Sequence, residues 1–442
     1  GEKRMPYTDH YEKYLNEIPE NIEKCKETGD RIVFGYTSDL DVLLTYNEDE
    51  FNKLVDTYVK GDIYRDGDEN ITDLESFSRI IAYYMANGLG GEADITDYKV
   101  VEYLLEHFEH KFSLGGTGAQ GAAAMASVGM PLIAHISDKS EQVCDLMDYE
   151  GLNTIVGDKQ VPMKTIQQGD PVYHVVFSYT KGDGFNLHGK RYTVPIANRV
   201  ILDYDTIHKD IVVSEDFKKY IEKNAKHIIS YNLSGYNAII DPELTERRMQ
   251  ELGAHYKKVK EENPECVIYF ESAHYLSQEV KNIVYKEISH YVDIMGMNEE
   301  ELLAHTRELG IEIDKDDLKD VLQGLEYLIK RYKVQGIIMH TKDYSMYYGS
   351  ELYGIDLEKA LTLGNLLSGT RARVGHYGSL EECRESLKLG LSETGLRFYN
   401  ELEEMHLDRK VYLVPSRYME KPVCTIGLGD TFVAGVQFAF AR

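Results

Sequence analysis

Short apolar, β-rich runs recur along this chain, and stretches patterned as amphipathic helix separate most of them. The runs are Arg31–Tyr36 (RIVFGY), Pro131–Ile136, His227–Tyr231, Cys266–Phe270, Val292–Gly296, Gly336–His340 and Val411–Val414. Helical patterns cover Pro242–Asn263, Ser277–His290 and Asp316–Tyr332. Alternating buried strand and helix predicts a mainly parallel sheet covered on both faces. Two stretches break the rhythm. Residues 42–108 are helix-rich and highly charged, and residues 172–204 alternate like a β-hairpin around a Gly-rich turn. The expectation is a large three-layer α/β/α domain (1–41, 109–171 and 205–442) with a smaller discontinuous α+β domain (42–108 and 172–204).

Charge and cysteines narrow the classes of partner. A formal net charge of −26 opposes nucleic acid and anionic membrane, which need clustered Lys and Arg. No apolar run approaches the roughly 18 residues of a membrane span. Cys25, Cys144, Cys266, Cys383 and Cys424 are scattered and form no CxxC pair, so neither a disulfide framework nor a Cys-based zinc site is expected. Reduced thiols and a polar, charged N-terminus predict a cytoplasmic protein. It is expected as a monomer or small homo-oligomer.

Polar residues sit just after several expected strands: Asp39 and Asp41, Glu271, and Asn298 with Glu301. In open parallel sheets ligands bind at the carboxyl ends of strands, so these residues would converge on one crevice. Near the C-terminus, Thr425-Ile-Gly-Leu-Gly-Asp-Thr431 precedes an apolar helix-like run. Gly427 and Gly429 permit a tight turn, and the helix start offers unpaired N–H groups to phosphate charge. Asp430 could take a proton from an attacking hydroxyl. The alternative is an ordinary turn with Asp430 as helix N-cap. A second Gly-rich segment, Leu114–Ala126, follows a charged helix rather than an apolar strand. It reads either as close helix packing or as Gly115 and Gly116 amides touching a hydroxylated substrate. GxxxxGK[ST], HExxH and GxSxG motifs are absent.

Val414–Thr431 (VPSRYMEKPVCTIGLGDT) resembles the VP…EKP…T-x-G-x-G-D-T segment of the ADP-dependent sugar kinases, glucokinase and phosphofructokinase, in the ribokinase-like superfamily. Asn298 and Glu301 match the superfamily's N-x-x-E motif. Tyr269-Phe-Glu271 is similar to its H-x-E element with Tyr for His. Thr37-Ser-Asp-Leu-Asp41 is similar to its N-x-N-x-D strand end. Gly115-Gly116 matches its GG element. Ile196-Ala-Asn-Arg199 matches R-x-N-R, with Ile196 in place of Arg.

The resemblance implies a kinase that transfers the β-phosphoryl of ADP to a sugar or sugar phosphate, giving AMP. It assigns Asp430 as base and Gly427, Leu428 and Gly429 as the anion hole. Glu271 and Glu301 would hold Mg²⁺. Asp39, Asp41, Gly115, Gly116 and Asn198 would meet the sugar. Asn298, His340, Val414, Pro415, Thr425 and Ile426 would line the nucleotide side, and the smaller domain would be a lid. Lys181 and Arg199 would suit a sugar 6-phosphate, whereas Glu92 would suit a free 6-hydroxyl. The leaning is to an unphosphorylated or unusual sugar. The alternatives are an ATP-dependent kinase of the same superfamily and a non-catalytic sugar- or nucleotide-binding homologue.

Overall fold

Burying the apolar runs on both faces produces a ten-stranded sheet. The structure, a computed structural model, describes residues 6–441; residues 1–5 and Arg442, the ends of the range assigned to the large domain, lie outside the described residues. In chain order the strands are β1 (Arg31–Phe34), β2 (Asp39–Leu44), β3 (Gly91–Asp94), β4 (His110–Gly115), β5 (Leu132–Ala134), β6 (Leu152–Val156), β7 (Lys159–Pro162), β8 (Tyr173–Tyr179) and β9 (Gly184–Leu187). They continue as β10 (Lys190–Thr193), β11 (Asn198–Tyr204), β12 (Ile228–Leu233), β13 (Val267–Glu271), β14 (Ile294–Asn298), β15 (Gly336–His340), β16 (Tyr344–Gly349) and β17 (Lys410–Pro415).

The large sheet runs β17-β16-β15-β14-β13-β12-β1-β5-β6-β7. Its centre, from β15 to β6, is parallel, and antiparallel strands close both edges. In β13, β14 and β15 the first four residues are buried and the last is half-open: Glu271, Asn298 and His340. Those termini form the crevice edge that the strand pattern predicts. No helix among the described residues is long and apolar enough to cross a membrane.

A five-stranded sheet, β3-β11-β8-β2-β4, stands beside the large one, and β9 and β10 form a hairpin between β8 and β11. Residues 39–41 and 110–115, grouped by pattern with the large sheet, are strands of this smaller one. The segment from Leu114 therefore follows a strand, not a charged helix. β4 is a half-exposed edge strand, so it needs no apolar run to form.

Tyrosines fill a buried hydrogen-bonded cluster under β1 and β12. The Tyr36 hydroxyl meets those of Tyr231 (2.7 Å) and Tyr256 (2.6 Å). Tyr256 also meets Tyr236. Tyr231 continues to His255 Nε2 (3.0 Å), whose Nδ1 reaches Glu222 (3.0 Å). Burial holds His255 down at about 4, so it is neutral at pH 7. Tyr36→Phe removes the hydroxyl that joins both branches and leaves buried partners short of a hydrogen bond. The expected loss is about 1–3 kcal/mol of unfolding free energy, measured by denaturant titration.

Candidate active site

Two helices start at the same place. Thr117–Ser127 is preceded by Gly116 at φ 96°, and Leu428–Gln437 by Gly427 at φ 70°. Both are left-handed positions that favour glycine. Neither helix has a side-chain cap, so first-turn amides of both remain for other acceptors. Asp430 is therefore not the N-cap; Gly427 is. The Asp430 side chain lines a cavity of about 260 Å³ together with Asp39, Asp41, Thr117, Gln120, His174, Arg199 and Ile426.

Asp430 belongs to a crowded acidic group. Burial and the Glu271 carboxylate push it up to about 7, against the pull of Arg371, His340 and a hydrogen bond from Thr117. Burial and Glu271 likewise push Glu301 up to about 7. Asn298 and Glu301 form a capping box: Asn298 Oδ1 accepts from Glu301 N (2.8 Å) and Glu301 Oε1 accepts from Asn298 N (2.9 Å). The N-x-x-E spacing thus fixes Glu301 by one oxygen. His340 Nε2 sits 3.1 Å from Glu271 Oε1. Glu271 Oε2 is buried beside the Tyr269 hydroxyl, whose proton is held in place by burial and that carboxylate. Glu271, Glu301 and Asp430 offer carboxylate oxygens, the donors a hard divalent cation takes. Among the described residues, however, the acid–histidine groups whose ligand atoms lie within 4.8 Å of one another are Asp39–Asp41–His174 and His174–Asp205–His208.

Opposite these acids, the small sheet builds a row from its register. Asp41 pairs with His174 and His174 with Asp203 across β2, β8 and β11. His174 Nδ1 lies 3.4 Å from Asp39, and its Nε2 lies 3.7 Å from Asp203 and 3.5 Å from Asp205. Burial would lower the His174 pKa, but the carboxylates outweigh it and raise it to about 10, so the ring is an imidazolium. Burial and Asp39 push Asp41 up to about 8. A Cβ on Gly115 would lie 1.8 Å from Asp39 Oδ1 and 2.7 Å from Asp41 Oδ1. Only glycine fits beneath the two carboxyl tips.

A cavity of about 600 Å³ adjoins the first and shares His174 and Ile201 with it. Glu92, Asp94, Asp203 and Asp205 line it, with His208, His274 and Lys209.

The structure thus brings together Asp39, Asp41, Gly116, Arg199, Ile426 and Asp430 around one cavity, with Glu92 around the next. Ile426 lies on the side of Asp39 and Asp41. Lys181 is exposed in the turn after β8 and lines neither cavity. Asn198 spends its side chain on Gly88 O and Arg199 N. Val414 and Pro415 are interior; their carbonyls accept from Asn365 and from Tyr11. Thr425 is exposed and lines neither cavity. His340 packs on Phe432 beneath Gly429. His174, Asp203, Asp205, Thr117 and Gln120 escaped the sequence reading. His174 and Asp203 occupy polar positions of alternating strands, but only the register shows that they meet.

A family model described as the ADP-specific phosphofructokinase/glucokinase conserved region matches residues 30–438. An ADP-specific phosphofructokinase of Pyrococcus horikoshii is 23% identical over 95% of this chain and 97% of its own. An ADP-dependent glucose/glucosamine kinase of Pyrococcus abyssi is 24% identical over 96% of each chain. Among solved structures, a last common ancestor of ADP-dependent phosphofructokinases from Methanosarcinales superposes with a TM-score of 0.81 at 21% identity, covering 99% of both chains.

Proposed function

Because the chain belongs to the ADP-specific phosphofructokinase/glucokinase family, we propose that it transfers the β-phosphoryl group of ADP to a sugar hydroxyl and releases AMP. One observation carries this reading: Asp430, at a helix start with free amides, lines the same cavity as the Asp39–Asp41 pair. A sugar gripped by Asp39, Asp41 and the Gly116 backbone has a hydroxyl within the reach of Asp430. Asp430 takes that proton as the oxygen attacks. The first-turn amides of Leu428–Gln437 hold the charge that develops on the transferred group. Glu271 and Glu301 would hold Mg²⁺, which supplies charge neutralisation to the phosphates when bound. The five-stranded unit acts as the lid that keeps water from the donor.

The acceptor we infer is an unphosphorylated sugar. Glu92, Asp94, Asp203 and Asp205 around the wider cavity favour hydroxyl or amine groups and oppose a phosphate dianion. Arg199 at the first cavity favours the second reading, a sugar phosphate. Crossing ADP and ATP against glucose, glucosamine and fructose 6-phosphate with Mg²⁺ separates these. AMP formation with ADP and an unphosphorylated sugar is the expected result. Turnover of fructose 6-phosphate alone would reassign the acceptor, and turnover with ATP alone would reassign the donor. Folded protein that binds ADP but turns over no pair would sink the enzyme reading.

A further inference from the structure

We propose that Arg371 is a positioning residue for the phosphoryl site: it clamps the Gly427–Thr431 turn from beneath and sets a guanidinium charge beside it. The inference rests on the kinase reading above. Arg371 lies near the end of the helix Leu357–Val374 and is 6% exposed. Its Nη1 donates to Gly427 O (3.3 Å) and to Thr431 Oγ1 (3.0 Å). The Tyr377 ring covers the guanidinium at 4.5 Å. Its Nε is buried without a partner. A Cβ on Gly427 would stand 2.7 Å from Nη1, so the guanidinium is pressed directly against the turn.

Buried arginines are ordinarily paired with carboxylates, because an unpaired buried charge is costly. Here both contacts made by Nη1 are to neutral oxygens. The positive end of the helix Leu428–Gln437 lies alongside and adds charge of the same sign. The Asp430 carboxyl in this turn feels that charge, which pulls its pKa down against burial and Glu271, and the turn presents its amides to the cavity that Asp430 lines. A phosphoryl group transferred there meets the same field. Arg371 does not line that cavity, so it acts through the turn it holds and through its field.

The test compares Arg371→Met and Arg371→Lys with wild type for kcat, ADP affinity and melting temperature. Methionine keeps the apolar stem and removes the charge. Its kcat is expected to fall about 10²-fold or more, with ADP affinity within about threefold. Lysine keeps the charge without the planar fork and is expected to recover at least tenfold over methionine. Equal losses in both variants, or a methionine variant within about threefold of wild type, would overturn the proposal. If the methionine variant does not fold, lysine decides alone. A fall of about 3- to 30-fold in kcat at unchanged ADP affinity supports the clamp, and wild-type kcat refutes it. Asp430→Asn in the same assay separates the failures. If that variant is active, the reading of the turn is wrong; if it is dead while Arg371→Met is active, only this inference fails.

Discussion

Asp430→Asn is expected to lower kcat by about 10³-fold or more while ADP affinity stays within about threefold. Asparagine has nearly the same shape, so it preserves the turn and removes only the capacity to take a proton. The cause lies in where the carboxylate stands. It is in the first turn of a helix, beside free amides, and lines the cavity that Asp39 and Asp41 also line. Burial and Glu271 push its pKa up to about 7, opposed by Arg371, His340 and Thr117. A base must be ionised to act, so kcat should rise with pH across that region and level off above it. A bound divalent cation stabilises the ionised form and moves the rise to lower pH. The Asn variant should lose this acid limb with its activity. A variant with wild-type kcat and an unchanged pH profile would remove Asp430 from the chemistry.

Much of this arrangement was legible in the sequence, and for a physical reason. Parallel strands buried on both faces write themselves as apolar runs, and β13, β14 and β15 each end in a polar residue at the point where burial stops. The Gly-rich turn was equally visible, because the left-handed conformation at Gly427 restricts the residue type. The smaller sheet was harder to read. β2 (DLDVLL) and β4 (HKFSLG) carry charge and expose part of their length, so no apolar run marks them. Side-chain partnerships were hidden for a different reason. The Asn298–Glu301 spacing fits a metal motif and a capping box alike, and coordinates show that the box forms. His340 ends β15 at the half-open edge, and its ring stands between Glu271 and Phe432, a contact no sequence spacing shows. His174 meets Asp39, Asp203 and Asp205 only because three strands distant in sequence share one register.

That register underlies the second large effect. Asp41→Ala is expected to lower kcat/KM for the acceptor by about 10²- to 10⁴-fold, while ADP affinity is unchanged. The size, for an assay above about pH 8 where Asp41 is ionised, follows from two hydrogen bonds of a charged carboxylate to sugar hydroxyls, each about 1.5–3 kcal/mol, at about 1.4 kcal/mol per tenfold. The fold should survive, because His174 keeps Asp39, Asp203 and Asp205 as partners. Asp41→Asn discriminates further. It retains hydrogen bonding but removes the negative charge that Asp41 carries above about pH 8, so there an amine-bearing acceptor should lose more than a neutral one. Equal losses for glucosamine and glucose would mean that the carboxylate reads hydroxyls alone. A change below about threefold in Asp41→Ala for every acceptor would take the sugar out of the Asp39–Asp41 row. The larger neighbouring cavity, with Glu92, Asp203 and Asp205 on its walls, would then be the acceptor site. Asp430 does not line that cavity. The same result would therefore also require a different group to take the acceptor proton.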